Sequence, residues 1–488
     1  MLPFTQLYIN GKFVPSSTGK AFEVYNPHSG LHVGTAASAS SVDCASAIEA
    51  AAEAFKTWEN SKLNDRRDIL LRAAELVALD KYRIKIVEST QQETAAAPYW
   101  ANLNWAGARN FLRTHAGTVD RLRGEIYPSS TIPGAQVIAQ RRAQGVVFGI
   151  SPWNAPFVLS LRAIVVPILC GNTVVLKSSE VSPRSQSVVA ELFEEAGLPP
   201  GVLNFINISR ENAPALTAEI IAHPAVRTIN FTGSDRVGKI IAAEAAKYLK
   251  PCILELGGKA PAIVLEDADI SEAARAIAYG ALAHSGQICM STERVIVQSA
   301  VADRLLNEIK SIVQDLRAGD VENDSSVSVG ALFTESSAEN IVGILKDAVE
   351  DGATVFLGDV SKQSSLVIPH LVKNVKPGMR LWDRETFGPV VVFAIAETVQ
   401  EAIELANASE YSLSASLWTS NVFEGQRIAR LIRSGYTNIN GPTIHSEAID
   451  GLVGLGGASG YGRFHIENFT DKRLIITHPP GRKYPSFK

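Results

Sequence analysis

Cys289 lies in the run Ser285-Gly286-Gln287-Ile288-Cys289-Met290-Ser291-Thr292, after a helical pattern and before a β-prone one, with small neighbours that leave a sulfur accessible. A thiolate there can add to an electrophilic carbon. The competing reading is a buried, inert thiol, which is what most lone cysteines are. Glu255 ends the apolar run Cys252-Ile253-Leu254 and precedes Leu256-Gly257-Gly258-Lys259. An acid in such surroundings is costly unless its carboxylate is hydrogen-bonded or kept for proton transfer. Asn154, in Ser151-Pro152-Trp153-Asn154-Ala155-Pro156, is an amide donor just past another apolar run, suited to an oxyanion or to an ordinary turn.

A second set of residues suits a nucleotide. Phe231-Thr232-Gly233-Ser234-Asp235-Arg236-Val237-Gly238 falls between a strand pattern and a helix pattern, where backbone N–H groups can meet a pyrophosphate. Its spacing is GxxxxG rather than GxGxxG, so a plain strand-to-helix turn capped by Ser234 fits it equally. Lys177 closes the run Thr173-Val174-Val175-Leu176, and Glu180 follows three residues later, where a carboxylate suits ribose hydroxyls. An exposed pair at a strand end fits the same spacing.

These side chains need elements to hold them. Asn10-Gly11, between Leu7-Tyr8-Ile9 and Lys12-Phe13-Val14, predicts a tight hairpin. Val42, Ala45, Ile48, Ala52 and Phe55 recur at helical spacing behind Ser41 as N-cap, with Asp43, Ser46, Glu49 and Glu53 outward. Residues 65–87 and 105–122 read as helices too, so the first part is largely helical. After Arg141-Arg142 short apolar runs near 145–150, 173–176, 202–206 and 228–231 alternate with helical segments, as buried parallel strands do. A second series follows, with strands near 261–264, 294–297, 354–357 and 390–395. The uncharged run 144–161 is interrupted by Pro152, Asn154 and Pro156, and reads as strand, loop and helix rather than a membrane span.

Taken in order, these motifs, together with Arg384-Glu385-Thr386-Phe387-Gly388-Pro389-Val390 and Ser459-Gly460-Tyr461-Gly462-Arg463, resemble the NAD(P)-dependent aldehyde dehydrogenase superfamily almost end to end. The separation of Glu255 from Cys289, 289 − 255 = 34, also matches. The resemblance implies an α/β aldehyde dehydrogenase-like fold: a Rossmann-like NAD-binding domain over 1–120 and 141–254, an α/β catalytic domain over 255–464, and a small β oligomerisation element over 121–140 and 465–488. It implies Cys289 as nucleophile, Glu255 as general base and Asn154 as oxyanion donor. It implies that Trp153, Lys177, Glu180, Gly233, Ser234, Gly238, Glu385 and Phe387 bind the cofactor. A homodimer or homotetramer follows in the same way.

Trp100 and the stretches 286–294 and Asn440-Gly441-Pro442-Thr443-Ile444-His445 look most like the salicylaldehyde, vanillin and benzaldehyde dehydrogenase group, which points to an aromatic aldehyde. Ala155 leaves room beside Asn154. Arg162 lies eight residues after Asn154, about two helical turns on, where it either meets a polar substituent of the substrate or is salt-bridged. Glu180 would repel a 2′-phosphate, so NAD is expected over NADP. Two departures stand out. The stretch Leu452-Val453-Gly454-Leu455-Gly456-Gly457-Ala458 lacks the lysine that many relatives carry, and Phe464 stands where many relatives place a glutamate.

Composition bounds the alternatives. The 488 residues carry 46 Lys plus Arg against 50 Asp plus Glu, a net charge of −4, so no broad cationic field invites nucleic acid or anionic lipid. A small-molecule partner fits better. Cys44, Cys170, Cys252 and Cys289 show no CxxC spacing, which argues against a disulfide framework and a metal site and for a reducing, cytoplasmic setting. Neither the opening MLPFTQLYINGKF nor the closing PSFK reads as a targeting signal. Other readings are a cysteine hydrolase pairing Cys289 with His284, a dehydrogenase for aliphatic aldehydes or semialdehydes, and an inactive dehydrogenase-derived protein.

Overall fold

Runs of apolar residues four to seven long, bounded by Gly, Pro or Asn, become strands covered on both faces. In the computed structural model, which describes residues 2–324, 326–449 and 453–486, Val146–Ile150 and Thr173–Lys177 are buried along their whole length. They sit at the centre of an eight-stranded sheet. Its order is Gly460–Tyr461, Cys252–Glu255, Val226–Thr232, Val146–Ile150, Thr173–Lys177, Leu203–Ile206, Leu7–Ile9, Lys12–Val14. The strands from Cys252–Glu255 to Leu203–Ile206 run parallel, and the outer ones antiparallel. Register pairs Ile150 with Lys177, Phe231 with Ile150, and Thr232 with Glu255. Asn154, Lys177, Gly233 and Glu255 therefore all lie at one rim, the carboxyl ends of parallel strands, where α/β sheets bind ligands.

A second, seven-stranded sheet runs Thr354–Leu357, His370–Lys373, Val390–Ala396, Thr292–Gln298, Ala260–Val264, Ser414–Trp418, Tyr436–Ile439. All its neighbours are parallel except the first pair. Cys289 enters this sheet from the helix Ile270–Leu282 through a short 3₁₀ turn, Ala283–Gly286. Glu255 and Lys259 lie on the short connection between the two sheets. A third, antiparallel sheet joins Glu125–Pro128, Gln136–Ala143 and Thr470–Thr477, and leaves Ile126, Leu474, Ile475 and Ile476 exposed.

Several sequence expectations change in detail. The first helix is Ser41–Trp58 and its cap is Ser40, one residue before the expected Ser41. The Ser40 hydroxyl accepts from Asp43 N–H while the Asp43 carboxylate accepts from Ser40 N–H. That capping box buries Asp43 and turns Val42 to solvent, which rotates the expected apolar face. The helix expected over 65–87 is two, Leu63–Val77 and Asp80–Thr94, and that expected over 105–122 starts earlier, as Pro98–Ala116. The amino-terminal part also holds a small sheet, Phe4–Thr5, His32–Ala37 and Ala21–Tyr25. The Asn10-Gly11 hairpin forms, with φ of 50° and 75°. Leu452 of the lysine-free stretch lies outside the described residues, as do the last two residues of 465–488.

No helix among the described residues is long and apolar enough to cross a membrane, and the run 144–161 is a buried strand, a loop and the start of the helix Pro156–Leu169.

Candidate active site

Glycine makes the site compact. A Cβ on Gly258 would stand 2.0 Å from the Cys289 carbonyl oxygen, and one on Gly257 would stand 2.5 Å from Glu385 Oε2. Only a bare backbone lets the loops carrying Cys289 and Glu385 close on the end of the Cys252–Glu255 strand. Before Cys289 the chain turns sharply, with His284 at φ 48°, Ser285 at 57° and Gly286 at 74°. Left-handed conformations at two side-chain-bearing residues cost free energy, and their neighbours hold them there. Tyr99 Oη accepts His284 N–H at 2.9 Å, and Ser285 Oγ donates to the Gly330 carbonyl at 2.8 Å.

The turn delivers the Cys289 thiol to Glu255, with Sγ donating to Oε1 at 3.2 Å. Glu255 is fully buried, and its other oxygen accepts from Arg162 Nη2, which also donates to Thr232 Oγ1 at 3.0 Å. Asn154 Nδ2 donates to the Gln287 carbonyl at 3.0 Å, tying the start of the Pro156–Leu169 helix to the cysteine loop. Gln287 in turn receives Phe333 N–H on Oε1 at 2.9 Å. Burial pushes the Cys289 thiol well above its ordinary value, Glu255 adds to this, and Arg162 opposes it. The thiol is thus kept protonated until a base takes its proton, and the acceptor within reach is Glu255. His284 Nε2 has no hydrogen-bond partner among the described residues. Its ring stacks on Trp100 at 5.4 Å and 11°, and burial pushes it down to about 3, so it stays neutral at working pH.

The residues expected to hold a nucleotide spread along the same rim. Lys177 is buried, and its ammonium donates to the Ser178 carbonyl at 2.8 Å. Burial draws its proton affinity down, and Glu180 opposes. Ser234 caps the helix Asp235–Ala246 through Val237 N–H at 3.4 Å, so its hydroxyl serves the helix. Gly233 lies against the Phe231 ring and Gly238 against Leu256, each too tight for a Cβ. Glu385 Oε1 accepts Gly258 N–H at 2.8 Å, and burial, then Glu293, pushes its carboxyl well above the usual range. An ammonium with donors to spare, a capped helix start after a bare glycine, and a carboxyl with one free oxygen fit ribose hydroxyls and a pyrophosphate. Asp235 places an acid in that helix's first turn, offset by Lys239 and Arg384, each 3.4 Å away.

A cluster of aromatic rings gathers around the turn that carries Asn154. Trp153 stacks on Phe333 at 4.4 Å and 25°, meets the Phe387 ring edge-on at 6.1 Å, and lies 5.8 Å from the His284 ring. Trp100 Nε1 donates to the Asn154 carbonyl at 2.8 Å, and Ala155, buried, precedes the first residue of the helix. Of the two readings of Arg162, the geometry displays the salt bridge.

Sequence reasoning missed the frame behind these groups. Lys259 and Glu293, both buried, pair at 2.5 Å, and the Glu293 carboxylate accepts Thr386 N–H at 2.9 Å, Thr386 Oγ1 at 2.5 Å and Phe387 N–H at 3.3 Å. Phe387 itself sits at φ 50°. Thr443 Oγ1 donates to the Met290 carbonyl at 2.7 Å and meets Thr292 Oγ1 at 2.8 Å. The available signal was charge inside apolar runs, which Lys259 and Glu293 share with Glu255.

Known proteins resemble this chain over nearly its whole length. The model of the aldehyde dehydrogenase family matches residues 13–477. The chain is 41% identical to a vanillin dehydrogenase from Pseudomonas fluorescens over 98% of its length and 99% of that relative. It is 38% identical to a salicylaldehyde dehydrogenase from Pseudomonas putida over 99% of both. Among solved structures, a salicylaldehyde dehydrogenase from Pseudomonas putida G7 complexed with salicylaldehyde superposes with a TM-score of 0.96, at 36% identity over 100% of both chains. A cysteine held against a buried glutamate at the meeting of two α/β sheets, matched from one end of the chain to the other, makes this protein a member of the aldehyde dehydrogenase family.

Proposed function

We propose that this protein oxidises aromatic aldehydes to carboxylic acids with NAD. The observation that carries the reading is the Cys289 thiol donating to the buried Glu255 at 3.2 Å, on a loop gripped by the Asn154 amide. Glu255 takes the thiol proton as sulfur bonds to the carbonyl carbon. The remaining Asn154 amide hydrogen and the Cys289 N–H receive the oxyanion, an effect worth about 3–4 kcal/mol per donor. When bound, the nicotinamide ring supplies the acceptor for the hydride. The carbonyl carbon is then left as a thioester on Cys289. Glu255 releases the thiol's proton to solvent, then accepts a proton from water as the water oxygen attacks that carbon; the thiolate departs from the acid and takes that proton back from Glu255, which restores the thiol and the carboxylate.

The half-buried Glu180 near Lys177 supports NAD over NADP, because a carboxylate there accepts hydroxyl hydrogen bonds and repels a 2′-phosphate. Trp100 and Phe333 offer flat, apolar faces to an aromatic ring, and the names of the vanillin and salicylaldehyde dehydrogenases above support the same substrate class. We read residues 1–120 and 141–254 as the cofactor domain, 255–464 as the catalytic domain, and the third sheet with its exposed isoleucines and leucine as the oligomerisation element. A dimer or tetramer would cover that row.

The test follows reduced cofactor by absorbance with benzaldehyde, hydroxybenzaldehydes, acetaldehyde and succinate semialdehyde, each with NAD and NADP. Aromatic aldehydes with NAD should give the highest kcat/KM, and Cys289→Ala should remove turnover. Equal rates with acetaldehyde would refute the aromatic assignment. Ester cleavage without aldehyde oxidation would favour a hydrolase.

A further inference from the structure

Arg162 stands on the Pro156–Leu169 helix, just after Asn154, and its guanidinium is boxed on three sides. Nη2 serves both Glu255 Oε2 and Thr232 Oγ1, the guanidinium carbon lies 4.8 Å from the Phe464 ring centre, and Nε is buried with no partner among the described residues. Phe464 is itself buried and packs against Phe469. The two oxygens of Glu255 are divided between thiol and cation, which fixes the plane of the carboxylate. We propose that Arg162 is a positioning residue: seated on the Phe464 ring, it holds the Glu255 carboxylate as a proton acceptor aimed at Cys289 Sγ.

This rests on the proposed chemistry of Cys289 and Glu255, and it assigns Arg162 to the base rather than to a substituent of the substrate. Without that cation the Glu255 carboxylate loses the partner that orients it toward Sγ, and the thiol loses a positive charge that opposes Glu255. The charged groups acting on Sγ are Glu255 from the strand end, Glu385 from the loop beyond Gly257, and Arg162 from the helix. The two carboxylates raise the thiol's proton affinity and Arg162 lowers it. The aromatic seat matters because a cation over a ring face is held without another anion competing for it.

The experiment measures the pH dependence of Cys289 alkylation by iodoacetamide, read at the Cys289 peptide by mass spectrometry, with neither aldehyde nor nucleotide present. In Arg162→Met the midpoint should rise by about half a pH unit or more, and Arg162→Lys should bring it back toward wild type. Phe464→Leu, which removes the ring face under the guanidinium and adds no charge, should reproduce part of the rise, and it keeps the test open if Arg162→Met fails to fold. In turnover, Arg162→Met should lower kcat by about tenfold or more and Phe464→Leu by less, with KM for benzaldehyde and hydroxybenzaldehyde changing alike. An unchanged alkylation midpoint, or a loss confined to KM for the hydroxylated aldehyde, would overturn the proposal. A wild-type protein that oxidises no aldehyde would defeat the proposed function while the alkylation profiles still decide the role of Arg162.

Discussion

Two buried ion pairs flank Cys289, and they differ in how fully they are satisfied. Lys259–Glu293 is sealed, with both side chains buried and the carboxylate saturated by Lys259, the Thr386 amide and hydroxyl, and the Phe387 amide. Arg162–Glu255 is open. One carboxylate oxygen is spent on a reactive thiol, and Arg162 keeps a buried Nε without a partner among the described residues. A saturated pair can only hold a loop in place, here the 384–388 loop that carries Glu385. An unsaturated one has a lone pair to lend to a proton, which is what chemistry needs.

The two pairs separate most visibly when one member of each is changed. Glu255→Gln should retain the fold and lose roughly 10²–10⁴-fold in kcat. Lys259→Met should instead leave Glu293 an uncompensated buried charge and cost about 3–5 kcal/mol of stability, seen as a lower denaturation midpoint. Stability lost in the first and activity alone lost in the second would reverse the assignment.

Asn154→Ala should lower kcat by about 10²–10³-fold with little change in denaturation midpoint, as expected of one oxyanion donor. Gly258→Ala tests the seam between the two pairs. Its Cβ would meet the Cys289 carbonyl oxygen at 2.0 Å, so the loop must shift, and about 10²-fold in kcat should go.

The smallest effect belongs to His284. Burial pushes it down to about 3, so between pH 5 and 8 it is neutral and contributes no titration to activity. His284→Phe, which preserves the stack on Trp100, should leave the shape of the kcat pH profile unchanged; loss of a limb near pH 6–7 would show that His284 had been the base.

What could be read from sequence was whatever local chemistry decides. Asn10-Gly11 makes its hairpin because both residues accept positive φ, and the strands ending at Ile150, Lys177 and Glu255 declare themselves by apolar runs. Glu255 and Asn154 were visible as polar groups at or just past the ends of such runs, and Cys289 through the resemblance of its motif. The cap at Ser40 was misplaced because the reciprocal bond from Asp43, not the apolar period, fixes the helix start. The pairing of Arg162 with Glu255 was not legible, since it joins residues 93 apart in the chain and depends on a register between strands. The same holds for Glu293 and the 384–388 loop. Such partners are set by tertiary packing, and nothing in either local segment names the other.

The central claim is that the aldehyde carbon bonds to one sulfur and leaves it as an acid. Wild-type protein mixed with benzaldehyde and NAD, acid-quenched within the first turnover and mapped by peptide mass, tests this most directly. An adduct on Cys289 with the mass of the aldehyde less two hydrogens is expected. Reduced cofactor appearing with an adduct on any other residue, or with none at any time in that turnover, would contradict it.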